Sequence, residues 1–342
     1  VKIVYSADHH RHAPVREITR REPIPYPESP ARAEAILKSL TEAGYVDILS
    51  PNDFPIENLL AAHDPAYLEY LQNAYPAWVE AGNPPEGVVS VTFALRDRSR
   101  PPRSPAEAAG YYCFDMTPIV GHTFQAARAA ASCALTGAEL LLSGEKSAYA
   151  LCRPPGHHAG RDTCGGYCYL NNAAVAATHL SQSGTVAILD IDFHHGNGTQ
   201  DIFYTSDQVL FVSIHADPDR RYPFFWGRTD EHGEGAGRGF NHNFPLPPCI
   251  DDTQYLETLE RALEKVSEFD PAYLVISAGV DTLEGDMWSD FLLSLEGFGR
   301  IGERLAALRR PTLFVQEGGY DITRIGSAVV NLLQEFSQTS LC

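Results

Sequence analysis

Two rhythms of apolar and polar positions run along this chain. Unbroken apolar runs of strand length occur in "SAYALC", "TVAILDID", "QVLFVSIHAD", "AYLVISAGVD" and "PTLFVQEGGYD". An apolar run without alternation reads as a strand covered on both faces, as in a parallel sheet. Strands are therefore placed over 147–152, 186–192, 209–214, 273–278 and 312–316, with a short one in "VKIVYS". Segments of helical period lie between them. "SPARAEAILKSLTEAG" has Ser29 as cap, Pro30 at its first position and Gly44 past its end. "DPAYLEYLQNAYPAWVEAG" repeats the plan, with Asp64, Pro65 and Gly82 in the same roles and Tyr67, Leu68 and Leu71 on one face. Further helices are predicted over about 123–143, in "LNNAAVAATHLSQSG", "GTQDIFYTS", "DTQYLETLERALEKVSEF" and "LEGFGRIGERLAALR", and over about 322–336. Two stretches lose the rhythm: the Arg/Pro run 96–105 and a Gly-rich loop over 216–243.

Strands alternating with helices predict an α/β fold with a mostly parallel sheet and helices on both faces. No repeat or shift of composition divides the chain, so 1–342 reads as one domain. The apolar content of 44% can fill a large core. Against 44 acidic residues stand 26 Lys and Arg, a formal charge of -18, which argues against nucleic acid as a partner. No apolar run approaches the ~18 residues of a membrane span, and the first ten residues lack the apolar core of a signal peptide. The seven cysteines show no zinc-finger or redox Cys-x-x-Cys spacing, so reduced thiols in a cytoplasmic protein are expected. Neither a dinucleotide fingerprint nor a phosphate-binding loop occurs.

Polar groups collect at the predicted strand ends. His157 and His158 follow the strand at 147–152; Asp190, Asp192 and His194 end the next; His215, Asp281 and Tyr320 end the others. In an open parallel sheet these carboxyl ends share one crevice, the usual site of ligands. Asp192 and His194, two apart, can face one side, and Asp281 arrives from another strand. Such a set with open coordination suits Zn²⁺, and equally Fe²⁺ or Co²⁺. Asp190 points away from that pair and stands behind it. Adjacent imidazoles at His157 and His158, stiffened by Pro154 and Pro155, suit proton transfer near neutral pH. Tyr320 follows two glycines and can donate to a developing oxyanion. Taken singly, each has a plainer reading: His194 a core histidine, His157 and His158 one packed and one exposed, Tyr320 a packing residue. Two carboxylates and two imidazoles crowded at the end of one apolar strand are harder to explain by packing, because buried charge is costly.

In order along the chain, "RPPGHHA", "GGYCYLNNAAVAA", "DIDFHHGNGTQDIFY", "SIHAD", "SAGVD" and "EGGY" resemble the histone deacetylase superfamily. More narrowly they look like the bacterial acetylpolyamine amidohydrolases and class II-like deacetylases. The resemblance covers nearly the whole chain and implies a three-layer, arginase-like α/β fold with eight mostly parallel strands. It implies that Asp192, His194 and Asp281 bind one catalytic Zn²⁺, that His157 and His158 stand beside its water, and that Tyr320 polarises the amide carbonyl. Asp190 then backs His157. Asn197 backs His158, where many relatives place an aspartate. His157 is read as general base and His158, or the pair in turn, as the acid for the leaving amine. The resemblance gives Gly166, Tyr167 and either Phe224 or Phe225 to the substrate tunnel. It also implies a bound K⁺ near Asp190, Asp192, His194, Ser213 and Ile214.

What the resemblance implies is a zinc-dependent deacetylase acting on linear amides. The insert at about 83–118 favours a small acetylated amine such as acetylputrescine or acetylcadaverine. That insert is expected to be a loop at the tunnel mouth that packs across a homodimer, because it holds Phe93, Tyr111, Tyr112 and Phe114. Glu107 and Asp115 are the candidates for a distal ammonium, with the arginines at 96, 98, 100 and 103 an odd neighbour for a cation. Three alternatives stand: a deacetylase of acetyl-lysine peptides, a binuclear ureohydrolase, and a silent acyl-lysine binding module. The ureohydrolase needs a second acid after Asp281 in an Asp-x-Asp pattern, which "SAGVDTLEGD" does not supply.

Overall fold

Eight parallel strands form the middle layer of the protein, in the order β4-β1-β5-β10-β9-β6-β7-β8. A computed structural model describes residues 1–17, 22–95 and 98–340. In chain order the elements are β1 (Lys2–Tyr5), the short pair β2 (Arg16–Glu17) and β3 (Ile24–Pro25), α1 (Pro30–Glu42), β4 (Ile48–Leu49), α2 (Glu57–Leu60) and α3 (Pro65–Glu80). Next come α4 (Pro105–Tyr112), α5 (Thr123–Leu142), β5 (Ser147–Leu151), α6 (Asn172–Leu180), β6 (Val186–Asp190), α7 (Asn197–Phe203), β7 (Val209–Ala216) and β8 (Asn241–Leu246). The remainder are α8 (Asp252–Phe269), β9 (Tyr273–Ala278), α9 (Leu295–Ala307), β10 (Thr312–Gln316) and α10 (Ile325–Ser340).

The inner strands are buried on both faces, so they feed two cores by simple alternation. Ala148, Ala150, Ile188, Val275 and Val315 face one core, which is closed by α3, α5 and α6. Tyr149, Ala187, Leu189, Leu274 and Ile276 face the other, closed by α1, α8, α9 and α10. The three-layer arrangement expected from the periodicity is present. Caps follow the residue chemistry. Asp64 accepts from Ala66 N at the start of α3, and Asp251 forms a reciprocal capping box with Gln254 at α8. Ser29 occupies the cap position of α1 but makes no side-chain cap bond.

Several boundaries differ from the sequence reading. β6 stops at Asp190 rather than 192, and α10 begins at Ile325 rather than near 322. The end of the presumed Gly-rich loop is strand β8, and the presumed loop insert contains helix α4. Arg96 and Cys342 lie outside the described residues. Among the described residues, no helix is long and apolar enough to cross a membrane.

Candidate active site

The chain bends immediately after β6, and that bend builds the centre of the site. Asp190 Oδ1 accepts from Asp192 N at 3.1 Å, and Asp192 Oδ1 accepts from His194 N at 2.8 Å. Asp281, beyond β9, reaches across and accepts from Phe193 N at 2.9 Å. The result places His194 Nδ1 3.2 Å from Asp192 Oδ1 and 3.0 Å from Asp281 Oδ2. Two glycines make room: a Cβ at Gly279 would collide with Asp192, and one at Gly318 with both Asp192 and Asp281. Asp192, His194 and Asp281 offer one ligand atom each within 4.8 Å of one another. Ligand atoms around a tetrahedral zinc at about 2.0–2.1 Å sit about 3.3 Å apart, so the donor set fits a divalent ion in chemistry and spacing. Burial pushes the Asp281 carboxyl up to about 7, and the neighbouring Asp192 charge adds to it. A cation at this point is what two buried carboxylates call for.

The tandem histidines are held from behind. His157 Nδ1–H donates to Asp190 Oδ2 at 3.0 Å, and His158 Nδ1–H donates to Asn197 Oδ1 at 2.7 Å. The two rings respond in opposite directions. Burial opposes a charged His157, yet Asp192 and Asp190 overcome it and push the imidazole up to about 10. Burial drives His158 well below its ordinary value, and His157 and His194 push the same way. The His157 backbone is pinned too. Glu317, fully buried at the end of β10, accepts from Gly156 N at 2.6 Å and from His157 N at 3.1 Å. His157, Cys168 and Glu317 also meet the spacing of a metal group. Burial keeps the Cys168 thiol well above its usual range and pushes Glu317 up to about 8, so this cluster is a proton-bearing one.

A cavity of about 260 Å³ opens onto these groups. Its lining includes His158, His194, Tyr320, Tyr167, Tyr222 and Trp288. Tyr320 sits under the Arg32 guanidinium, 4.7 Å from its ring, and its amide donates to Asp286 Oδ2 at 2.6 Å. Burial keeps its phenol protonated, well above the ordinary range, so it remains a donor at neutral pH. Gly166 and Tyr167 both take left-handed backbone, at φ 56 and φ 68. A side chain at Gly166 would strike the His158 ring, so only glycine lets this wall come so close. Tyr167 accepts the strain of that conformation.

Sequence reasoning brought Asp190, Asp192, His194, Asp281, His157, His158, Asn197, Gly166, Tyr167 and Tyr320 to one place, and the structure assembles them there. Four further residues lie elsewhere or bind differently. Phe224 and Phe225 are exposed and absent from the cavity lining; Tyr222 lines it instead, 5.0 Å from the His158 ring. Glu107 faces a separate cavity with Trp78, Phe93 and Arg100, and accepts from Arg103 N at 2.7 Å. Asp115 does reach the tunnel, but Thr117 N, Gly166 N and Tyr222 Oη already donate to it. Ser213 pairs with Asp190 in register on β7, next to Ile214. His215 is a buried strand residue bonded to Ser213 and Gly227.

Glu17, Tyr222, Trp288, Glu317 and Asp286 were not anticipated. Glu17 lines the cavity and hydrogen-bonds with Tyr167; burial pushes its carboxyl up to about 7, with the Asp115 charge assisting. Nothing local marks it. Asp286 had one signal, an acid after "SAGVD", but it accepts from the amides of Tyr320, Asp321 and Trp288. It therefore holds the backbone on which Tyr320 is carried.

The chain belongs to the histone deacetylase family. The histone deacetylase domain matches residues 26–336. The chain is 46% identical over 339 residues to acetylpolyamine amidohydrolase 1 of Pseudomonas aeruginosa, covering 97% of this chain and 98% of that protein. It is 41% identical over 340 residues to the acetylpolyamine amidohydrolase of Mycoplana ramosa, covering 98% and 99%. Its structure superposes on a crystal structure of acetylpolyamine aminohydrolase from Burkholderia pseudomallei with a TM-score of 0.94 at 36% identity, over 98% of each chain.

Proposed function

We propose that this protein is a zinc-dependent amidohydrolase that removes acetyl from small acetylated amines, releasing acetate and the free amine. The observation that carries the reading is the cluster of Asp192, His194 and Asp281, whose His194 lines one aromatic-walled cavity together with His158 and Tyr320. Relatives named for acetylpolyamine hydrolysis support the substrate class.

Asp192, His194 and Asp281 would hold the metal, which supplies Lewis-acid polarisation of the amide and a more acidic water. The protein's own groups do the rest. Because His158 Nδ1–H is committed to Asn197, its Nε2 is the free basic atom, and the ring lines the cavity. Between the two orders, His157 as base with His158 as acid, or His158 in both roles, this geometry favours the second. His158 Nε2 takes the proton as the water oxygen adds to the amide carbon. It then returns that proton to the nitrogen as the C–N bond breaks. His157, held cationic by Asp190 and Asp192, supplies positive field beside the oxyanion. The Tyr320 phenol donates to that oxygen.

Glu17 is the carboxylate best placed to meet a distal ammonium, since it lies on the cavity beside the Tyr167 phenol that hydrogen-bonds with it. Glu107 lines the separate cavity of the insert and is not assigned this role. We keep the homodimer through the insert as part of the proposal, supported by Val91 and Leu95 at 86% and 88% exposure. A K⁺ beside Asp190, Asp192, His194, Ser213 and Ile214 also belongs to it, supported by two buried carboxylates. A cytoplasmic setting accords with the buried free thiols of Cys113, Cys133, Cys152, Cys164 and Cys168.

The test is kcat/KM for acetylputrescine, acetylcadaverine and an acetyl-lysine peptide, with the mass in solution measured at assay concentration. The small amines should be preferred. A strong preference for the peptide would replace this reading with a peptide deacetylase, and no turnover of any amide would leave a binding module.

A further inference from the structure

Asp115 ties together three segments that are far apart in sequence. Its Oδ1 accepts from Thr117 N at 2.8 Å, at the end of the insert. Its Oδ2 accepts from Gly166 N at 2.8 Å, in the turn that carries Tyr167, and from Tyr222 Oη at 2.9 Å, in the loop after β7. Thr117 Oγ1 in turn accepts from Tyr167 N at 3.1 Å. Tyr167 and Tyr222 both line the cavity. The Tyr222 ring stands edge-on to His158 at 5.0 Å and packs 6.2 Å from Phe114. Gly165 leaves the space that Phe114 fills, since a Cβ there would collide with that ring.

A carboxylate with three N–H and O–H donors, and the weaker Cys113 thiol 3.6 Å from Oδ1, has little capacity left for a ligand. Each of the three also belongs to a different backbone segment, so losing the carboxylate frees both walls together. We propose that Asp115 is a positioning residue that sets the gap between Tyr167 and Tyr222, and so the width of substrate the cavity accepts, rather than a ligand for the distal ammonium. The idea rests on the functional reading above, but it differs from it in consequence. A wall spacer acts on any thin chain, charged or neutral. An ammonium ligand acts only on the charged one.

The experiment measures binding on the metal-loaded enzyme, so that it does not depend on turnover. Two linear alkyl hydroxamates of equal length are used, one ending in methyl and one in ammonium. Asp115→Ala should weaken both by a common factor of about tenfold, with binding stoichiometry unchanged. Tyr222→Phe keeps the ring and removes one donor, and should weaken both by a smaller common factor. Asp115→Asn retains an acceptor without the charge and should recover part of the loss on both. Glu17→Gln should weaken only the ammonium ligand. Asp115→Ala weakening the ammonium ligand alone would overturn the proposal, as would Tyr222→Phe binding both like wild type. If Asp115→Ala fails to fold, the Asn and Phe variants decide in the same way. A wild type that binds both hydroxamates but hydrolyses no acetylated amine would defeat the functional reading and leave the wall proposal standing.

Discussion

His158 Nδ1 lies 2.7 Å from the side-chain oxygen of Asn197. That contact orients the ring and fixes its tautomer without bringing a charge to it. Its neighbour His157 receives the same service from a carboxylate, Asp190, at 3.0 Å. One amide and one carboxylate thus make two adjacent imidazoles chemically unlike: His157 is pushed towards the cation and His158 towards the neutral base.

Replacing Asn197 with Asp should raise the pKa of His158, because a new adjacent carboxylate favours the imidazolium. The neutral form then persists only at higher pH, so the acid limb of kcat/KM moves upward. The variant should lose more activity at low pH than at high pH relative to wild type. A pH–rate profile checks this, and an unmoved acid limb would reject His158 as the base.

Asp281→Ala removes one member of the candidate metal cluster and the acceptor for Phe193 N. Bound metal should fall from one ion per chain, and kcat/KM should drop by at least about a hundredfold. Elemental analysis beside the assay tests it. Full metal content with normal turnover would refute the assignment, and two ions per wild-type chain would restore the binuclear alternative.

Tyr320→Phe keeps the ring beneath Arg32 and removes the donor. The expected loss is about a hundredfold in kcat with little change in KM. Steady-state kinetics on acetylputrescine decide it; a rate within about twofold of wild type would exclude the phenol from the reaction.

Glu17 should link substrate charge to pH. Its carboxyl is raised to about 7 by burial, so it is ionised above that pH and neutral below. An alkyl ammonium stays protonated to about pH 10. The preference for acetylputrescine over its uncharged isostere N-pentylacetamide should therefore grow as pH rises through about 7. Glu17→Gln should flatten that dependence. Taking the ratio of the two substrates cancels any titration of the histidines, and a flat ratio in wild type would free Glu17 of the role.

Much of this was written in local sequence, because strands and helices answer to short-range rules. The apolar runs that became β5, β6, β7, β9 and β10 are buried on both faces, and that condition leaves no polar alternation to confuse the reading. The groups at their carboxyl ends could be expected to meet because a parallel sheet directs every such end to one side. β8 escaped notice for the converse reason. It is an edge strand, where "NHNFPL" may stay polar and carry Pro245 without breaking an inner ladder. Helix α4 had a usable signal, Ser104 capping Glu107 N, but a run of Arg and Pro beside it masked the period.

Only the tertiary structure decided what encloses the chemistry. Glu17 comes from a two-residue strand, Tyr222 from a long loop and Asp115 from the end of an insert, and no spacing rule relates them. The sequence determined which residues can hold a metal and move a proton, since those properties belong to the side chains themselves. Which carboxylate is open to a substrate and which is consumed by the protein's own donors depends on how distant backbone segments pass one another. Asp115 and Glu17 show the difference: both are acids on the same cavity, yet donors from three segments converge on the first, while the second meets the Tyr167 phenol.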